Sequence, residues 1–133
     1  MPAITGFIGL GSRADLDSML QEMVKCVVHE PFYKSGTYVN KELGLWIGWA
    51  NIKGSFADDM PVWNEKEDIG LIFTGEDYRD AHEIGWLRDR GHRFTPGSAS
   101  YLVHLYEEYG DEFLKKLNGR FSGMIIDLRQ SKA

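Results

Sequence analysis

Residues 71–127 read LIFTGEDYRDAHEIGWLRDRGHRFTPGSASYLVHLYEEYGDEFLKKLNGRFSGMIID, and their order of patterns decides the fold. An apolar run over 69–74 predicts a buried strand, and a Thr74-Gly75-Glu76 turn leads from it into a helix over 78–90 that ends at Gly91. A second helix is predicted over 98–109, stopped by Gly110, followed by one or two helical turns over 112–117 and a last strand over 121–128.

Working outward, residues 3–8 form a short apolar run closed by Gly9 and Gly11, which predicts a strand almost at the start of the chain. Ser12 and Asp15 have capping-box spacing ahead of Leu16, Met19, Leu20, Met23, Val24 and Val27, so an amphipathic helix is expected there, with its stripe packed on a sheet. Residues 29–34 make a turn around Pro31. Strands over 36–39 and 43–52 are joined through Asn40, Lys41 and Glu42, and 53–67 is the longest loop, with Val62 and Trp63 as a brief strand. Strands come in pairs and helices in a separate run, which favours an α+β domain with antiparallel sheet over a regular βαβ alternation.

The 133 residues suffice for one domain, taken as 1–133. A net charge of -5 and the lack of a basic cluster exclude a nucleic-acid groove, which needs Lys and Arg to displace counterions. No apolar run reaches membrane-spanning length and no leader pattern opens the chain, so the expected compartment is the cytoplasm, with no membrane partner. Cys26 is the single cysteine. It excludes an internal disulfide and is expected as a small buried hydrophobe on the apolar side of the first helix. His29, His82, His92 and His104 stand without two-histidine helical spacing, so packed or surface roles are expected and no metal site, with His104 structural. Gly6, Gly9 and Gly11 lack the Lys-Ser/Thr of a phosphate loop and read as a strand end. Tryptophans and tyrosines lie in strands and on helix faces, where core packing explains them better than a stacking surface.

The linked segments LIFTGEDY, RDRGHRF, YLVHLYEEYGDEFLKKLNGRF and MIIDLR closely resemble the glutaminase (class II glutamine amidotransferase) domain of the asparagine synthetase family, and ITGFIG fits that family's opening strand. The likeness covers nearly the whole chain, least well over 28–63. It implies the stacked antiparallel sheets flanked by helices (αββα) of the N-terminal nucleophile hydrolases, here incomplete at the C-terminus.

In that family an N-terminal cysteine thiolate attacks the glutamine amide, its own α-amine serves as base, and an Asn side chain with a Gly amide stabilises the oxyanion. The resemblance places Pro2 where that cysteine stands, and proline has no thiol. The arginine that clamps the substrate carboxylate becomes Ala50 in the stretch Gly48-Trp49-Ala50-Asn51-Ile52. The Asn of Asn-Gly-Glu becomes Thr74, leaving Gly75 and Glu76, and the acid that holds the substrate amine becomes Ser98. An Arg-Gly-Pro-Asp turn is replaced by His29-Glu30-Pro31-Phe32. Losing nucleophile, both clamps and an oxyanion donor together implies a silent domain with a structural or regulatory task, partnered by a synthetase-type, ATP-dependent amide-forming domain or protein. The family's Ser-Gly-Gly-x-Asp-Ser phosphate loop is absent, so no ATP and no other cofactor is expected. A last strand without its usual neighbour predicts a homo-oligomer or a piece of a longer chain. The alternatives are an active amidohydrolase or a Pro2-based enzyme working through non-family residues, in which a Pro2 amine acts as base.

Overall fold

The computed structural model describes residues 2–9, 11, 14–78 and 80–133. Among these residues six strands and three helices follow the order β1 (Ala3–Ile8), α1 (Leu16–Val27), β2 (Tyr33–Asn40), β3 (Leu45–Ile52), β4 (Val62–Trp63), β5 (Ile69–Asp77), α2 (Ala81–Asp89), α3 (Tyr101–Tyr109) and β6 (Gly119–Asp127), with a 3-10 turn over Gly110–Lys116 between α3 and β6. The strands make two antiparallel sheets, ordered β1-β3-β2 and β4-β5-β6. This is the expected α+β architecture with stacked sheets. No helix among the described residues is long and apolar enough to cross a membrane.

β3 explains the layering. It is central in its sheet and covered on both sides, which is why LWIGWANI is a nearly continuous apolar run rather than an alternation. Leu45, Ile47 and Trp49 face the second sheet and share a core with Ile69, Ile72 and Ile126. Trp46 and Gly48 face α1, where Leu16, Leu20 and Val24 are buried, each worth about 1.5–3 kcal/mol of transfer free energy. Gly48 is small because a Cβ there would press into Val24. Trp46 also donates from Nε1 to Asp17 Oδ1 at 2.9 Å, fixing α1 along the strand. On the outer side of the second sheet lies α3, six of whose nine residues are buried. Its Tyr106 donates to the buried carboxylate of Asp127 at 3.0 Å.

Several expectations are corrected. Thr74-Gly75-Glu76 is no turn between strand and helix: β5 continues to Asp77, with Thr74 opposite Ser122, Gly75 opposite Phe121 and Glu76 opposite Arg120. Two glycines allow this prolonged pairing. Gly75 sits at φ 108°, and a Cβ on it or on Gly119 would collide with the facing backbone carbonyl. The next helix is thereby shortened to Ala81–Asp89, capped by Asp80, whose Oδ1 accepts from the His82 amide at 2.8 Å. α3 starts at Tyr101 rather than 98, because Ser98 and Ser100 are engaged in a turn with Thr95. β2 runs longer than 36–39, since all of Tyr33–Asn40 pairs with β3. Cys26 is exposed rather than buried. Leu16, Leu20 and Val24 define the inward stripe of α1, and position 26 falls off it. Asp15 precedes α1 without a side-chain cap, and Ser12, the other half of the expected capping box, lies outside the described residues.

Candidate functional site

The first of the positions singled out by sequence meet at one end of the stacked sheets. Pro2, half-buried, precedes β1, and Ala3 pairs with Ala50, so Pro2 lies beside the last residues of β3. Ala50 is fully buried, on the same side of β3 as Gly48 and Trp46, which puts its methyl group toward α1. The side chain that enters the space between the sheets is the next one, Asn51, at 1% exposure. Its Nδ2 donates to the carbonyls of Ala57 at 2.7 Å and Phe73 at 3.0 Å, joining β3, the long loop and β5. Its Oδ1 accepts no hydrogen bond among the described residues.

Thr74 follows Phe73 and is also buried. Ser98 reaches the same corner indirectly: the amide of the adjoining Ala99 donates to the Phe56 carbonyl at 2.7 Å, and the Phe56 ring packs edge-on against Phe73, with centroids 5.9 Å apart. The Ser98 hydroxyl is occupied locally, 2.7 Å from Ser100 Oγ and 3.2 Å from the Thr95 carbonyl. Gly75 and Glu76 leave the corner along β5. Glu76 is exposed, and among the described residues its carboxylate receives a long contact from Tyr78 Oη at 3.4 Å. Asp77, by contrast, is anchored, accepting from Tyr101 Oη and from the Asn118 amide.

The corner therefore offers an amide oxygen, a buried threonine and a proline, but no thiol or guanidinium among its named positions. Cys26 belongs to α1, on the other side of the first sheet from Asn51. Sequence reading missed Asn51 because the family comparison directed attention to Ala50. The signal was the strand alternation itself, which sends positions 50 and 51 to opposite faces.

An apolar groove of about 430 Å³ runs along the outer face of the second sheet, lined by Leu71, Phe73, Phe113, Phe121 and Ile125 with Tyr106. Asp111 and Lys132 also line it and are paired with each other at 3.0 Å.

The structure also assembles a cluster the sequence did not suggest. His92, after α2, and His104, on α3, lie with ring centroids 4.8 Å apart, their Nδ1 atoms separated by 3.1 Å. Glu107 on α3 and Glu65 on the loop before β5 bring carboxylate oxygens to the same point, so that one ligand atom from each of the four lies within 4.8 Å of the others. Hydrogen bonding from His92, reinforced by Arg90, holds the Glu108 carboxyl below its ordinary value against the opposing effect of burial. Burial pushes the Glu65 carboxyl up, but hydrogen bonds from its own and the Arg93 amides outweigh this and leave it lowered. The two histidines stand 12 positions apart, so no helical spacing announces them; the Gly91 turn and the loop to α3 fold one back on the other.

The glutamine amidotransferase domain family matches residues 1–133. A glutamine-hydrolyzing asparagine synthetase 1 of Arabidopsis thaliana is 39% identical over 98 residues, covering 73% of this chain and 16% of that protein. The glutamine-hydrolyzing asparagine synthetase of Zea mays is 39% identical over 72 residues, 53% of this chain and 12% of its own length. That of Asparagus officinalis is 36% identical over 74 residues, 55% and 12% respectively. The chain thus spans about 12–16% of the length of these relatives. With its two stacked antiparallel sheets and flanking helices, the chain belongs to the glutamine amidotransferase domain family, in the form found in asparagine synthetases.

Proposed function

We propose that this domain does not hydrolyse glutamine and serves a structural or regulatory task beside a synthetase-type, ATP-dependent amide-forming domain or protein. The reading is carried by one observation: residue 2, which the resemblance sets at the family's nucleophile position, is a proline and cannot form an acyl-enzyme through sulfur. The neighbouring positions support it. Ala50 faces α1 and carries no charge, Thr74 is too short to replace an amide donor, and the Ser98 hydroxyl is held by its own turn. Loss of one oxyanion donor alone lowers turnover by about 10²–10³-fold. Missing nucleophile, missing clamps and a weakened oxyanion site compound that loss.

A synthetase partner is suggested by the relatives, which are named as asparagine synthetases that use glutamine. A second copy is a further candidate, because β6 pairs with β5 on one edge and, among the described residues, its other edge carries only the Asp127–Lys132 bridge at its end, which leaves the rest of that edge for strand addition. Light scattering over micromolar concentrations should then show a species larger than the monomer.

The deciding test is glutamate release from glutamine by the purified chain and by Pro2→Cys. The expected outcome is no release above background from either, since the clamp positions remain empty of charge in the variant. Release by the unaltered chain would overturn the proposal.

A further inference from the structure

We propose that His92, His104, Glu107 and Glu65 form a binding site for a divalent transition metal of the zinc class, which staples the loop before β5 to the α2–α3 connection. The inference is independent of whether the domain hydrolyses glutamine.

The hydrogen bonds fix where the ring protons are. His104 Nε2 lies 3.0 Å from the Arg93 carbonyl oxygen, which only accepts, so Nε2 carries the proton. His92 Nε2 lies 2.7 Å from Glu108 Oε1, again an acceptor, so it too carries the proton. Two neutral rings so arranged point bare Nδ1 lone pairs at each other across 3.1 Å. That contact is repulsive unless a positive charge sits between the nitrogens. Both outer contacts, a carboxylate on one ring and a backbone carbonyl on the other, are the partners that orient metal-bound imidazoles.

The carboxylates are oriented in the same sense. Glu65 Oε1 accepts from the Arg93 amide at 3.2 Å and leaves Oε2 facing His104 Nδ1 at 3.7 Å. Glu107 Oε1 faces Asn64 Nδ2 at 3.4 Å and leaves Oε2 at 3.4 Å from His104 Nδ1 and 3.7 Å from His92 Nδ1. These separations are long for charge-assisted hydrogen bonds. They are near the edge of a tetrahedron built from metal–nitrogen and metal–oxygen bonds of about 2.0–2.1 Å, which is about 3.3 Å, while the whole set spans up to 4.8 Å, so the half-exposed Glu65 side chain closes in on the ion. Two imidazoles and two carboxylates suit Zn²⁺ better than the all-oxygen shells of Mg²⁺ or Ca²⁺. His104 is buried, whereas the Glu65 side chain is half exposed, so an ion enters and leaves past Glu65.

The ligands come from three separate stretches, residues 65, 92 and 104–107, which gives the ion a structural use. It neutralises two carboxylates and cross-links segments whose other ties are hydrogen bonds and packing.

The test uses the full chain carrying Cys26→Ser, which removes an exposed thiol as an adventitious ligand. After chelator treatment, Zn²⁺ is titrated by calorimetry and the thermal midpoint is measured with and without it, while Co²⁺ is added to read its visible spectrum. One Zn²⁺ per chain, a midpoint raised by several degrees and the intense visible bands of tetrahedral Co²⁺ are expected. Glu65→Gln, at a half-exposed position that should leave folding intact, is expected to weaken Zn²⁺ binding at least tenfold, and His92→Gln to abolish the Co²⁺ bands. A folded chain that binds no Zn²⁺ at 0.1 mM would overturn the proposal and leave the two rings sharing a proton. So would Zn²⁺ binding whose affinity in both Glu65→Gln and His92→Gln is the same as in the parent chain.

Discussion

Asn51 Nδ2 donates to the carbonyl of Phe73 at 3.0 Å, and this bond crosses from the end of one sheet's central strand to the middle of the other sheet's central strand. With the companion bond to the Ala57 carbonyl at 2.7 Å, it satisfies two backbone oxygens in the interior. Replacement by Ala leaves both buried and unpaired, at about 1–3 kcal/mol for each such group. Asn51→Ala is therefore expected to lose about 2–4 kcal/mol of unfolding free energy in urea. Asn51→Asp should be worse, because a carboxylate would face two carbonyls. A loss below about 0.5 kcal/mol for Asn51→Ala would show that the inter-sheet bond contributes little.

Gly75 is expected to be intolerant for reasons of backbone alone. At φ 108° an L side chain is strained, and its Cβ would run into the Arg120 carbonyl across the ladder. Gly75→Ala should cost about 2–4 kcal/mol, combining strain with loosened β5–β6 pairing. Faster amide exchange confined to β5 and β6 would locate the damage.

These two positions also mark where sequence reading stopped. Local pattern sufficed for β1, α1 and the β2–β3 pair, whose partners are near in sequence or whose apolar periodicity is complete. It placed the brief Val62–Trp63 strand as well. It failed at Thr74-Gly75-Glu76, because a glycine between polar residues looks like a turn until strand Gly119–Asp127, more than forty residues on, is known to pair there. Asn51 was hidden for a similar reason: its worth depends on the Phe73 and Ala57 carbonyls, which backbone hydrogen bonding brings close and composition does not reveal. The His92–His104 contact depends on how α2 packs on α3, a tertiary fact with no period of its own.

Cys26 supplies a simple check on the facing of α1. An exposed thiol should react with a disulfide reagent at one equivalent per chain in the folded state, without denaturant. Cys26→Ser should change stability by less than about 0.5 kcal/mol. Labelling that appears only in denaturant would instead return the residue to the inward stripe with Leu20 and Val24.

Asp127 should make the fold sensitive to acid. Its fully buried carboxylate accepts from Arg129 Nε at 3.0 Å and from the Arg129 terminal nitrogen at 2.8 Å, and from Tyr106 Oη at 3.0 Å. The Arg129 guanidinium, acting against burial, lowers the carboxyl from 3.8 to about 2. A depressed folded value means that the stabilisation is fully present above the unfolded value and is lost as pH falls from about 4 to about 2. At about 1.4 kcal/mol per pH unit the shift corresponds to about 2 kcal/mol, and solvent screening at the partly exposed Arg129 reduces it toward about 1 kcal/mol. Asp127→Asn is therefore expected to be less stable at pH 7 by about 1–2 kcal/mol and to lose less than the parent between about pH 5 and about pH 2 in urea titrations. Parallel losses over that interval would assign the acid sensitivity to other carboxylates and reduce Asp127 to a neutral hydrogen-bond acceptor for Tyr106.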